Sequence, residues 1–130
     1  MSDIRRHGNG PVLADGTRLP YARACEANGF VFVSGQLPLD ASGRVVEGGI
    51  GEQTAQALRN VASVLALAGL GLADVVKTTV WLADIADFAE FNRAYAAHFA
   101  GEFPARSTTG GAQLAFGARI EIEATARVPG

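Results

Sequence analysis

One cysteine, Cys25, stands in the 130 residues. That excludes an intrachain disulfide and any metal centre built from several thiolates of one chain. Its expected role is that of a small core or sheet residue. Histidine is nearly as scarce. His7 lies in a polar N-terminal stretch and His98 near the end of a predicted helix, far apart and without flanking ligand patterns. A metal needs several converging ligands, so neither is read as a metal site, and no cofactor is implied. His98 suits a helix C-terminus. Long hydrophobic runs are missing too. The longest, Val61 to Leu72, is broken by Ser63, Gly69 and Gly71 and is too short to cross a bilayer. Met1 to Gly10 is polar and carries Arg5 and Arg6, with no apolar segment of the kind a secretory signal needs. The expectation is a cytoplasmic protein with no membrane partner. Charge of one sign is nowhere concentrated. Eleven basic and thirteen acidic residues give a net charge of −2. No basic stripe invites nucleic acid. A phosphate-cradling glycine loop, a dinucleotide fingerprint, a Gly-x-Ser-x-Gly elbow and a reactive-cysteine signature are all lacking. There is no repeat, low-complexity tract or linker. Residues 1–130 are expected to form one domain, with 1–16 as a loop or edge segment.

What is present is apolar substance in short pieces. Hydrophobic residues make up 48% of the chain, enough for a core and too many for disorder. Arg18 to Glu26 predicts a strand, weakened at its start by Pro20. Asn28-Gly29 predicts a two-residue hairpin turn. Phe30-Val31-Phe32-Val33-Ser34 is strongly β-prone and apolar on both faces. At Ser34-Gly35-Gln36 glycine permits a bulge or a close approach. Asp40 to Gly43 and Gly48-Gly49 are breaks. Glu52 to Ala68 predicts a helix, with Ala57, Val61, Val64, Leu65 and Ala68 at helical spacing and Gly69 just past the end. Val75 to Leu82 predicts a strand. Asp84-Ile85-Ala86-Asp87 caps a second helix running to about Phe99, with Phe88, Phe91, Tyr95 and Phe99 in one stripe. Gly101 to Pro104 ends it. Arg106 to Leu114 and Arg119 to Val128 predict two last strands, with Gly110-Gly111 read as a bulge or as backbone close to a ligand.

The predicted order is β-β-α-β-α-β-β, with short extra strands near the start and around Val45: an α+β fold. Two helices cover only one face of such a sheet. Since Phe30 to Val33 is apolar on both faces, the other face is expected to be buried by copies of the chain.

Chemistry concentrates in Phe103-Pro104-Ala105-Arg106-Ser107 and Ile120-Glu121-Ile122-Glu123-Ala124. The simplest pairing of these two runs is antiparallel, as neighbours in one sheet. That brings a planar cation and a potential base into one cleft. Arginine grips a carboxylate with two parallel N–H groups, and glutamate can activate water. The pattern suits a small carboxylic acid attacked by water. It equally suits an ordinary cross-strand ion pair. Asp84 and Asp87 read as caps and Trp81 as packing. Asn92 lies beside the aromatic stripe, where it faces solvent or reaches a partner. Tyr21, after Pro20, presents its hydroxyl at a cleft edge or packs.

Taken in order, Tyr21, Ser34-Gly35-Gln36, Lys77-Thr78-Thr79-Val80, Asp84-x-x-Asp87-Phe88, Asn92-x-x-Tyr95, Phe103-Pro104-Ala105-Arg106-Ser107 and Ile120-Glu121-Ile122-Glu123-Ala124 resemble the RidA (YjgF, reactive intermediate deaminase) family, also labelled endoribonuclease L-PSP. The resemblance runs from about Tyr21 to Val128. It implies a chorismate-mutase-like α+β fold: a mixed sheet covered on one face by two helices. It also implies a homotrimer whose sheets form a central barrel, with active sites in the clefts between subunits. The implied reaction is cofactor-free hydrolysis of 2-imino acids, such as 2-iminopropanoate, to 2-keto acids and ammonia. Such imines descend from enamines released by pyridoxal-phosphate dehydratases. By position, Arg106 would hold the substrate carboxylate and Glu121 would assist water. Tyr21, Ser34, Gly35 and Asn92 would line the pocket, and Thr108 would offer backbone groups. Thr108 stands where well-known members carry cysteine, Thr109 to Gly117 departs from the usual pattern, and Arg23 adds a charge near Tyr21. Three other readings differ in class. A non-catalytic module would bind carboxylates without turnover. An endoribonuclease or translation inhibitor would bind RNA, against the charge of −2. A redox-activated holdase would need exposed apolar or basic surface.

Overall fold

The computed structural model describes residues 3–13 and 15–130; Met1, Ser2 and Ala14 of the expected N-terminal segment lie outside the described residues. Strands β1 (Arg5–Asn9), β2 (Ala22–Ala27) and β3 (Phe30–Gln36) lead into helix α1 (Ile50–Ala66). Then follow β4 (Val75–Leu82), α2 (Phe88–Ala96), β5 (Ala105–Thr109) and β6 (Ile120–Arg127). The six strands form one sheet in the order β1-β2-β3-β6-β4-β5.

The hairpin between β2 and β3 turns at Asn28 and Gly29, both left-handed at φ 53° and 83°. These are the two positions a tight right-twisting hairpin requires. The strand expected from Arg18 starts at Ala22 instead. Arg18 makes only an isolated bridge to Val12, and Pro20 has no N–H to continue a ladder. The extra strands expected near the start and around Val45 are β1 and an isolated Leu39–Val45 bridge. α1 begins two residues before the expected Glu52, because Glu52 sits at its third position and accepts from the Gly49 N–H at 3.0 Å. α2 ends at Ala96, three residues short of Phe99. Asp84 does cap, but it caps the short turn Ile85–Asp87 through Ala86 N–H. Both Asp87 carboxylate oxygens accept from one Arg119 nitrogen, Nη2, at 2.8 and 2.9 Å.

The expected pairing of the last two strands is corrected. β4, α2 and β5 form a parallel crossover unit, so β5 lies against β4, Arg106 opposite Thr78. That leaves β4's other edge for β6, which runs antiparallel to it and to β3. β4 therefore stands between Arg106 and Glu121. Gly110 and Gly111 lie past the end of β5 at Thr109, so they form no bulge in the sheet. A side chain at Gly110 would come within 3.0 Å of Ile85 backbone atoms, so the glycine lets β5's end close on the Ile85–Asp87 turn that leads into α2.

The core lies between the helices and one sheet face. Val31, Val33, Val80, Ile120 and Ile122 meet Ala57, Leu58, Val61 and Leu65 of α1 and Phe91 of α2. On the opposite face Phe30 and Phe32 remain 38% and 49% exposed. This is the uncovered apolar surface that the doubly apolar run of β3 demands.

Candidate functional site

Residues opposite one another on neighbouring strands share a face. Arg106 lies opposite Thr78, and Thr78 opposite Ala124. Thr78 is buried under α2, its hydroxyl 2.7 Å from that of Tyr95. Arg106 thus belongs to the helix-covered face, at the sheet's outer strand. Its guanidinium carbon lies 4.9 Å from the ring centres of Phe91 and Tyr95 and 5.7 Å from that of Phe88. Among the described residues no carboxylate pairs with it. Aromatic faces attract the cation without occupying its N–H groups. Asn92, Ala96, Phe103 and Pro104 join Tyr95 and Arg106 around a pocket of about 420 Å³. Burial raises the Tyr95 phenol above its ordinary pKa, against the opposing pulls of Thr78 and Arg106, so it stays neutral.

Glu121 lies opposite Trp81, between buried Ile120 and Ile122, and therefore on the other face. Its carboxylate reaches Gly35: a side chain there would meet Glu121 Oε2 at 2.7 Å. Burial, reinforced by the negative charge of Glu123, raises the Glu121 pKa. Such a carboxylate holds a proton to higher pH than an exposed one, which suits an acid or base. Gly35 and Glu121 line a larger pocket of about 710 Å³ with Tyr21, Arg23, Leu37 and Asn60. Its wall between Leu37 and Gly43 is tied to α1 by Asn60 Nδ2, which donates to the Leu37 and Leu39 carbonyls at 2.9 Å.

Among the expected site residues, then, Tyr21, Gly35 and Glu121 meet in one pocket, and Asn92 and Arg106 in the other. The two pockets share no lining residue. Ser34 and Thr108 line neither. The Ser34 hydroxyl donates to the Ala22 carbonyl at 2.7 Å, and the Thr108 hydroxyl is buried without a partner among the described residues. His7 lies 2.9 Å from Glu26 across β1 and β2, and the described residues hold no cluster of three metal-ligating side chains. The three rings under Arg106 were legible only as an apolar stripe. Nothing in their helical spacing announces which cation rests on them.

A family profile described as Endoribonuclease L-PSP matches residues 14–128. The 2-iminobutanoate/2-iminopropanoate deaminase of Homo sapiens is 42% identical over 127 residues, 97% of this chain and 93% of that protein. The YjgF gene product of E. coli shares the fold with a TM-score of 0.82 at 35% identity, over 95% of this chain and 98% of the other. The chain belongs to the RidA/YjgF family. The structure of E. coli TdcF with bound serine also matches, with a TM-score of 0.80 at 30% identity over 95% of this chain and 94% of the other. The mixed α+β architecture with one six-stranded sheet and two helices is therefore that of solved RidA structures. No helix is long and apolar enough to cross a membrane among the described residues.

Proposed function

We propose that this chain hydrolyses 2-imino acids to 2-keto acids and ammonia, in clefts where the Arg106 pocket of one subunit meets the Glu121 pocket of the next. The observation that carries this reading is the Arg106 guanidinium, held on aromatic faces with no carboxylate partner beside an open pocket. It is a ready receptor for a substrate carboxylate. The separation of the two pockets within one chain and the bare Phe30 and Phe32 favour a site completed between copies, and the family resemblance makes that assembly a trimer. Relatives named for imine deamination support the reaction class. The net charge of −2 favours it over ribonuclease action, where cations must neutralise phosphates.

The chemistry asks little of the protein. The substrate is a protonated imine, whose C2 is already electrophilic. Arg106 grips the carboxylate and Asn92 borders it. Water gives a proton to Glu121 as its oxygen bonds to C2, forming a neutral carbinolamine. Glu121 returns that proton to the amine nitrogen, the C–N bond breaks, and ammonia departs. The remaining hydroxyl gives its proton to the again ionised Glu121 carboxylate to become the keto oxygen, and Glu121 then releases that proton to solvent. Orientation of this kind contributes several kcal/mol, and a positioned base typically about 100- to 10,000-fold. Tyr21 and Gly35 border the Glu121 pocket, Gly35 through its backbone; Ser34 and Thr108, which line neither pocket within one chain, would join the cleft only where two subunits meet, Thr108 through its backbone. Dehydratases that release enamines would supply the substrate.

The test is loss of 2-iminopropanoate generated in situ by an amino-acid oxidase and trapped with semicarbazide. The expected result is faster imine loss with the native chain and the uncatalysed rate with Arg106→Ala. An uncatalysed rate with both, across several imino acids, overturns the proposal. Pyruvate binding without turnover would then favour a carboxylate-binding module.

A further inference from the structure

The seat beneath Arg106 forms a closed circuit. The guanidinium rests 4.9 Å from the Tyr95 ring centre. The Tyr95 hydroxyl lies 2.7 Å from Thr78 Oγ1. Thr78 is the register partner of Arg106 across the parallel β4–β5 ladder. Cation, ring, hydroxyl and backbone therefore return to the residue they started from. Phe91 and Phe88 also border the guanidinium, but neither has a polar atom to fix its ring. Phe88 is 40% exposed; Phe91, at 0%, is held by packing alone, whereas Tyr95 at 3% is held by packing and by its bond to Thr78 at 1%. Tyr95 is further clamped by Phe91 at 5.4 Å and Phe99 at 4.9 Å between ring centres.

A half-buried arginine is ordinarily steadied by a carboxylate. Here that would fill the N–H fork and compete with an incoming carboxylate. An aromatic seat attracts the cation without filling its N–H groups, so they stay available to an incoming carboxylate. A ring that slides would lose this advantage, and a buried hydroxyl-to-hydroxyl bond stops it sliding.

We infer that Tyr95, locked by Thr78, is a positioning residue that sets the Arg106 guanidinium for carboxylate binding. This rests on the reading of Arg106 as the carboxylate receptor. Tyr95 acts only through Arg106 and touches no reacting atom.

The experiment is a double-mutant cycle on the full chain. Pyruvate dissociation constants come from calorimetry, and KM and kcat from 2-iminopropanoate hydrolysis, with circular dichroism and thermal melting as folding checks. Tyr95→Leu removes the ring, and we expect pyruvate Kd and KM to rise about tenfold with a smaller change in kcat. Tyr95→Phe keeps the ring and Thr78→Val removes the lock, so each is expected to raise Kd about two- to fivefold. Tyr95→Phe thereby rescues most of what leucine loses. In an Arg106→Lys background, which keeps a cation and measurable pyruvate binding but not the planar fork, Tyr95→Leu is expected to add less than about twofold, the signature of a residue acting through the guanidinium. An equal fold-loss in the native and Arg106→Lys backgrounds overturns the inference, because it marks a purely structural tyrosine. If Tyr95→Leu does not fold, the near-isosteric Tyr95→Phe and Thr78→Val decide, and native Kd in both overturns it. Native pyruvate binding by Arg106→Met would instead overturn the underlying reading of Arg106.

Discussion

At the scale of single residues, the Glu121 half of the site depends on one missing side chain. Gly35 leaves room for the Glu121 carboxylate where a methyl group would stand 2.7 Å from Oε2 and 3.0 Å from Cδ. The displaced atoms belong to the far end of a flexible side chain, so Gly35→Ala should fold with little loss of melting temperature. Imine hydrolysis should fall about 100-fold as the base moves. Near-native turnover would show that Glu121 has no such role. In the proposed mechanism the same carboxylate would set the pH profile. Its pKa is raised, first by burial and then by Glu123. A base must be ionised, so kcat falls as pH drops through that raised pKa, and the acid limb lies above the pH expected for an exposed glutamate. Glu123→Gln removes the like charge and should shift the limb to lower pH. The desolvation that burial causes would remain.

The elements set how far apart these groups stand. The β4–α2–β5 crossover makes β5 an outer strand and delivers Arg106 and the aromatic face of α2 to one side of it. The return through residues 110–119 carries the chain to β4's other edge, where β6 presents Glu121. Gly110 is the tight point of that return, with an added Cβ at 2.5 Å from Ile85 Cβ and 3.0 Å from its N and Cα. Backbone cannot yield as a side-chain end can. Gly110→Ala is therefore expected to cost about 1–3 kcal/mol of stability, measured by chemical denaturation. It should also weaken pyruvate binding, since the start of α2 carries Phe88 and Phe91. Arg119 braces the same region, its side chain on Asp87 and its N–H donating to Gln53 of α1 at 2.8 Å.

For the whole molecule, the test of a shared site is complementation. Arg106→Met and Glu121→Gln chains, each inactive, are unfolded together and refolded as mixed oligomers. If every site takes Arg106 from one subunit and Glu121 from its neighbour, random mixing restores up to about a quarter of native activity. A site within one chain restores none. The exposed Phe30 and Phe32 face is the surface expected to hold the copies together. Phe32→Asp should lower the mass in sedimentation and abolish turnover in the same step.

The sequence alone determined most of the elements, because they follow from local rules. The helical spacing of Ala57 to Ala68, the left-handed Asn28-Gly29 turn and the β-branched run Val75 to Leu82 express short-range periodicity and backbone sterics. The candidate residues were legible as a motif, and so was the bare apolar face, since Phe30 to Val33 leaves no polar side. Which strand lies beside which is a long-range matter. The adjacency of Phe103 to Ser107 and Ile120 to Ala124 in sequence suggested neighbours, yet the crossover handed β4's two edges to different partners. That one topological fact divides Arg106 from Glu121 within the chain. Tertiary packing alone also decided that three rings of α2 lie under Arg106 and that Glu121 is buried against Gly35. Cation, ring and carboxylate environments arise from residues distant in sequence, and local patterning carries no record of them.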